Sequence, residues 1–335
     1  MGNLEKITVP EWNLANGNRL LQIPLSYQVY GPKIGQAPVV VVNHALTGNS
    51  HVTGHKGWWK ELIGENKTID TNYFTVIAFN IPGNGYDGEK DNLIPNYKDF
   101  TVRDIAAIFW QGLNQLQIDR VFAVLGGSLG GAVAWAMAAL RPNGVGHLIP
   151  VATDWKSTDW VIANVLVQDR ILNNSDNPIA DARLHAMLLY RTPESLKMKF
   201  QRQQLTDSYY IEDWLLHHGA KLEKRFFLQS YKLMNHLLKT IEVCKDNEEF
   251  IDTVKKSTAS IHLIAINTDL LFVPAENKET YELLKGQKSD VFYHEIESIH
   301  GHDAFLIEYE KLAAILNPVF SKTASIPFKE DTITF

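Results

Sequence analysis

The sequence predicts an α/β domain, a mostly parallel sheet with helices on both faces, into which a helical segment is inserted. Three observations point there. Short β-branched apolar runs alternate with stretches whose apolar residues recur at helical spacing. A glycine-rich turn joins one such run to an alanine-rich stretch in "VLGGSLGGAVAWAMA", residues 124–138. From about Asp154 to Val254 the strand signal vanishes, and it resumes at "IHLIAINTD".

The elements follow in order. "LLQIPLSYQVYG" (20–31) alternates and ends at a turn, as a strand does. "PVVVVNHALTG" (38–48) is an apolar run that turns abruptly polar and small: a buried strand entering a loop. "YFTVIAFN" (73–80) is another buried strand, followed by the turn-rich "IPGNGYDG". Thr101 can cap the helix "VRDIAAIFWQGLNQL". "RVFAVLGGS" reads as a strand, "LGGAVAWAMAAL" as a helix and "GHLIPVAT" (146–153) as a strand. The helical stretches "ADARLHAMLLY", "SYYIEDWLLHHGAKLEKRFF" and "SYKLMNHLLKTIEV" come next. Strands return at 261–269 and 291–298, before a last helix, "DAFLIEYEKLAAIL" (303–316). The expected division is an α/β core of residues 1–153 and 255–335 and a helical cap of residues 154–254. Such an insertion lies at a sheet edge or over the carboxyl ends of the strands, where open α/β sheets bind ligands.

Composition narrows the class of function. Of 335 residues, 45% are hydrophobic and 21% charged, as in soluble globular proteins. The net charge is -6, both signs are interspersed and there is no basic tract, so nucleic acid is not an expected partner. Cys244 is the single cysteine, which excludes an internal disulfide and a cysteine-rich metal site. "MGNLEKITVPEW" has no apolar signal core, and Lys6 stands where a myristoylation signal wants Ser or Thr. No apolar run reaches the roughly 18 residues of a membrane span. A cytoplasmic protein is expected.

Gly126-Gly127-Ser128-Leu129-Gly130 fits G-x-S-x-G between a strand and a helix. The bland reading is a glycine-rich turn with an incidental serine. The chemical reading makes Ser128 a nucleophile, with glycines that let strand and helix approach closely. A serine hydroxyl needs a base, and in this arrangement an acid and then a histidine follow the serine. Asp269 ends its strand where a carboxylate would emerge. His302, in "SIHGHDAF", follows the last strand. His300 competes with it, whereas His294 lies within the strand pattern and suits a structural role. A metal cluster of His294, His300 and His302 lacks a supporting motif, and no metal is expected. The oxyanion donors would be the backbone N–H of Leu129 and one from "NHALTGNSH" (43–51), at Leu46 or Thr47.

The stretches "HALTGNSH", "GWWKELIGENKTIDTNYF", "FTVRDI", "VLGGSLGGAVAWAMA", "ARLHAMLLYRTPESLKMKFQR" and "SIHGHDAFLIE" stand out together. In them the chain resembles the homoserine O-acyltransferase (homoserine O-acetyltransferase) family of the α/β-hydrolase superfamily. The resemblance implies Ser128 as nucleophile, His302 as base and Asp269 as its orienter. It also implies Asp303 as partner of the substrate ammonium and Arg183 of its carboxylate, with Arg202 a second candidate for that role. The alternative readings are a helix cap for Asp303 and a surface or salt-bridged residue for Arg183. The implied reaction is ping-pong acyl transfer from acetyl-CoA to homoserine, in a homodimer, with no bound cofactor. The same three residues would serve a serine esterase, and a succinyl donor is a further alternative. Lys221, Lys224 and Arg225 could meet the CoA phosphates. Two stretches depart from the family. "IPGNGYDGEKD" is shorter than usual, as is the segment between "LNNSD" and "DARLHAM"; both shape the pocket rim.

Overall fold

The computed structural model describes residues 2–321. Its strands are β1 (Glu5–Asn13), β2 (Arg19–Tyr30), β3 (Val39–Asn43), β4 (Ile63–Gly64), β5 (Ile69–Asp70), β6 (Thr75–Phe79), β7 (Val121–Gly127), β8 (Val145–Val151), β9 (Ser260–Ile266) and β10 (Val291–Ile296). Eight form one sheet in the order β1-β2-β6-β3-β7-β8-β9-β10, with β4 and β5 a separate small pair. The β1–β2 and β2–β6 pairs are antiparallel, and every later pair in the sheet is parallel. Six strands therefore end at the same edge.

Both faces of the sheet are covered, because side chains alternate across it. Val39 and Val41 of β3 enter one apolar core, and Val40 and Val42 enter the other. The first core is closed by α1 (Val102–Gln115) and α2 (Leu129–Leu140), and the second by α10 (Tyr309–Ser321). Burial on both faces explains why β3 and β6 read as unbroken apolar runs. Thr101 caps α1 as expected. Its hydroxyl accepts the Asp104 N–H at 3.2 Å, and Asp104 accepts the Thr101 N–H at 2.9 Å.

Strand β1 carries only a short apolar alternation, Ile7 and Val9, which Pro10 interrupts. It is an exposed edge strand, in which Pro10 and the opposite Gln22 (φ 53°) drop out of the pairing register. An edge is where a strand tolerates proline. Asp104 ties this edge down by also accepting from the Ala15 N–H at 2.9 Å and the Trp12 indole at 3.3 Å.

Six helices separate β8 from β9: α3 (Asp159–Asn174), α4 (Pro178–Tyr190), α5 (Pro193–Phe200), α6 (Tyr210–Glu223), α7 (Leu228–Lys239) and α8 (Asn247–Lys256). Helix α4 packs on α3, α6 and α7. Phe250 of α8 stacks on Trp155 at 4.0 Å and stands edge-on to Trp135 of α2 at 5.4 Å. That contact ties α8 to the helices flanking the sheet. The remaining helix, α9 (Pro274–Leu284), joins β9 to β10.

The expected helix over residues 303–316 is two pieces. Gly301–Leu306 is a 3-10 helix, and α10 begins only at Tyr309. Over six residues, apolar spacing does not separate three from 3.6 residues per turn. Asp303 therefore lies inside the 3-10 turn and does not cap the last helix.

Candidate active site

Ser128 stands between the end of β7 and the start of α2, with φ 55° and ψ -125°. A non-glycine residue in that region carries strain of about 1–3 kcal/mol, held by its surroundings. Those surroundings are tight. A Cβ on Gly126 would fall 2.5 Å from the Gly130 carbonyl carbon, and one on Gly130 would fall 2.3 Å from the Asn43 carbonyl oxygen. The turn is closed by the Ser128 N–H donating to the Val151 carbonyl at 2.9 Å. Ser128 is buried, and its hydroxyl does not cap α2.

Leu129 is the first residue of α2, so its N–H is one of the donors that a helix start leaves without an internal partner. Leu46 is buried in the loop after β3. His44 organises that loop, a role the sequence did not disclose. Its Nδ1–H donates to the Ala45 carbonyl at 2.8 Å, and its Nε2 accepts the Ile81 N–H at 3.0 Å. Burial pushes the His44 pKa down to about 4, so the ring is neutral and holds this pattern at physiological pH. Arg225 donates to the Thr47 carbonyl at 3.0 Å, turning towards this loop. Lys221 and Lys224 are exposed.

Asp269 follows β9 and His302 follows β10, so both lie at the strand edge that carries Ser128. His302 Nδ1 donates to Asp269 Oδ2 at 2.7 Å. The other oxygen, Oδ1, accepts the N–H groups of Leu271 at 2.7 Å and Phe272 at 3.0 Å. Three hydrogen bonds thus fix the carboxylate, and the carboxylate fixes the imidazole tautomer with Nε2 free as acceptor. The His302 ring lies among Tyr190 at 5.5 Å, Phe272 at 5.8 Å and Phe305 at 5.5 Å. Phe305 links this loop to the serine turn, since a Cβ on Gly127 would fall 2.4 Å from its ring. No hydrogen bond joins His302 to Ser128 among the described residues. Such contacts often close only when substrate is bound.

A second serine–histidine contact has a different character. Ser195 Oγ lies 3.0 Å from His300 Nδ1, and Arg191 Nη2 donates to both, at 2.6 and 3.1 Å. Desolvation and the Arg191 charge push the His300 pKa down, and Ser195 sits within α5. A histidine whose lone pair already accepts from an arginine is a poor base. His294 is placed apart from both, its ring stacked 6.1 Å from His262.

Asp303 is half-buried, and desolvation raises its pKa against the opposing charges of Arg183, His302 and Arg191. Arg183, on α4, acts on it by charge, with no ion pair joining the two among the described residues, and its guanidinium lies 5.3 Å from the Tyr190 ring centre. Arg202 is placed elsewhere. It lies on an exposed turn after α5, over the Tyr209 ring at 5.5 Å. Tyr190 flanks His302, and Tyr231 lies within the field of Tyr190 and Arg183; the sequence carries no signal for either, because apolar periodicity does not distinguish a core tyrosine from one lining a site. A surface cleft lined by Ile34, Arg120, Phe122 and His147 lies at the opposite ends of the strands, away from Ser128.

Comparison with known proteins fits this geometry. The profile of the α/β-hydrolase fold family matches residues 38–297. The homoserine O-acetyltransferase of Methanococcus vannielii is 31% identical over 96% of this chain and 74% of that protein. The crystal structure of homoserine O-acetyltransferase from Bacillus anthracis superposes with a TM-score of 0.84 at 20% identity, covering 96% of this chain and 98% of that one. Esterase E22 superposes equally well, with a TM-score of 0.84 at 19% identity over 96% of this chain and 100% of that one. At such identities the likeness shows the fold, which hosts both chemistries. The chain belongs to the α/β-hydrolase fold family and, within it, to the homoserine O-acetyltransferase family.

Proposed function

We propose that the chain transfers an acetyl group from acetyl-CoA to the side-chain hydroxyl of L-homoserine, through an acetyl-Ser128 intermediate. One observation carries this reading beyond the fold. Arg183 and Asp303 lie within each other's field beside His302, yet no ion pair joins them among the described residues. Opposite charges held apart suit a zwitterion, whose carboxylate would meet Arg183 and whose ammonium would meet Asp303. A simple ester offers nothing to this pair.

The geometry supports the following chemistry. His302 Nε2 takes the Ser128 proton as the oxygen attacks the thioester carbonyl. The N–H groups of Leu129 and Leu46 receive the developing oxyanion. The carbon–sulfur bond breaks, and protonated His302 delivers its proton to the departing CoA thiolate. Homoserine enters, and His302 removes its hydroxyl proton. The new alkoxide attacks the acetyl carbonyl, and Ser128 regains the proton from His302. Asp269 keeps the imidazole in the required tautomer throughout. The helices between β8 and β9 would exclude water, which would otherwise hydrolyse the acyl-enzyme.

The reading includes a cytoplasmic homodimer joined through the cap. The exposed apolar side chains Trp160, Ile162, Leu166, Val167, Leu188 and Leu216 on α3, α4 and α6 support that surface. Among the described residues, no helix is long and apolar enough to cross a membrane.

The test combines intact mass with product analysis. Acetyl-CoA should add one acetyl group to the parent chain and none to Ser128→Ala. Homoserine should discharge the adduct as O-acetylhomoserine. Thiol release that ignores homoserine, with no such product, overturns the reading in favour of a hydrolase.

A further inference from the structure

Tyr231 of α7 is 1% exposed, and its hydroxyl has no hydrogen-bond partner among the described residues. Folded proteins rarely leave a buried hydroxyl so, because it has lost water and gained nothing. The side chain has little freedom to escape. The preceding Ser230 donates to the Gly83 carbonyl at 2.8 Å, which pins this turn of α7. The Phe226 ring stands edge-on to Tyr231 at 6.0 Å.

The residue lies within the electrostatic reach of the site. Helix α7 packs on α4, which supplies Arg183 and Tyr190, and Tyr190 flanks His302. The charges of Tyr190 and Arg183 both act on the phenol. Arg183 offers only donors, and the Tyr231 O–H, within reach of its charge, is a further donor without an acceptor. Two donors in one positive field suit an anion with more than one oxygen.

We infer that Tyr231 is a specificity residue whose hydroxyl donates to the substrate carboxylate alongside Arg183, so that the site prefers amino acids to simple alcohols. The assignment rests on the acyl-transfer reading above. It explains why an unpartnered polar group is retained in the apolar packing of α7.

The experiment compares the parent with Tyr231→Phe in the full chain. The melting temperature without substrate should stay level or rise, since the deleted hydroxyl had no partner. KM for homoserine should rise about ten-fold, while kcat and acetyl-enzyme formation from acetyl-CoA stay at parent values. The preference for homoserine over its carboxamide should fall about ten-fold. An unchanged KM for homoserine, a change in KM for acetyl-CoA instead, or a lowered melting temperature without substrate would each overturn the assignment. A parent that makes no O-acetylhomoserine sinks the functional reading and this assignment together. A parent that makes it, beside a variant with unchanged selectivity, sinks only the assignment.

Discussion

Asp269 and His302 are joined by one hydrogen bond of 2.7 Å, and the second carboxylate oxygen of Asp269 is committed to the backbone of Leu271 and Phe272. This division of labour makes Asp269→Asn informative. The amide oxygen would keep the two backbone donors, which leaves the NH2 group facing His302 Nδ1. The imidazole would then carry its proton on Nε2 and could not accept one from Ser128. We expect kcat to fall by about 10³–10⁴ with the melting temperature nearly unchanged. Steady-state kinetics and a thermal melt check this, and a variant retaining a tenth of the activity would contradict it.

The serine turn is equally specific in its demand for space. Gly130→Ala would place a Cβ 2.3 Å from the Asn43 carbonyl oxygen and 2.8 Å from that of His44. Both contacts are backbone, so no side chain can swing aside. We expect a loss of at least about 1–3 kcal/mol in stability. Turnover should also be lost, because the loop after β3 shifts with those carbonyls. Urea titration and thiol release measure the two effects.

His44 links stability to pH. With a folded pKa of about 4, below the ordinary 6.5, its neutral form is favoured in the folded state. The resulting stabilisation is complete above pH 6.5 and is lost as pH falls towards 4, on the order of 3 kcal/mol in all. His262, beside His147 and His294, is depressed to about 4 as well and acts in the same direction. His44→Ala should cost about 1–3 kcal/mol at pH 7.5, because the Ile81 N–H loses its acceptor, and should flatten part of the acid slope. Urea midpoints between pH 4 and 8 test both statements.

Asp154 pulls the other way. It is buried at the end of β8, where desolvation raises its pKa to about 7. The folded state therefore holds a proton that the unfolded state releases near pH 4, and stability falls as pH rises from about 4 to 7. Asp154→Asn should gain on the parent across that window and level off above it. A difference in melting temperature that does not vary with pH would refute this.

Much of the architecture was legible because it follows from local chemistry. Two-sided burial writes β3 and β6 as apolar runs, Thr101 and Asp104 write their own helix start, and the glycines around Ser128 mark a turn with no room for side chains. The order serine, aspartate, histidine and their positions after strands were equally readable. Polar edges were less so: in β1 only Ile7 and Val9 alternate before Pro10, and its place is set by pairing with β2 and by Asp104.

Assembly decided the rest, because hydrogen bonds between residues far apart in sequence leave no trace in spacing. The chain alone favoured His302 over His300 only by its place before the last helix; folding gave one an aspartate and the other an arginine. His44 reads as an ordinary histidine until Ile81, 37 residues on, is brought against its ring. Arg183 and Arg202 are both cations on helical text; the resemblance ranks Arg183 first, and the packing of α4 beside the 3-10 turn sets it near Asp303. Composition and periodicity fixed which elements form and which way their side chains face. Which polar groups meet was decided by how the helices between β8 and β9 fold back over the strand ends.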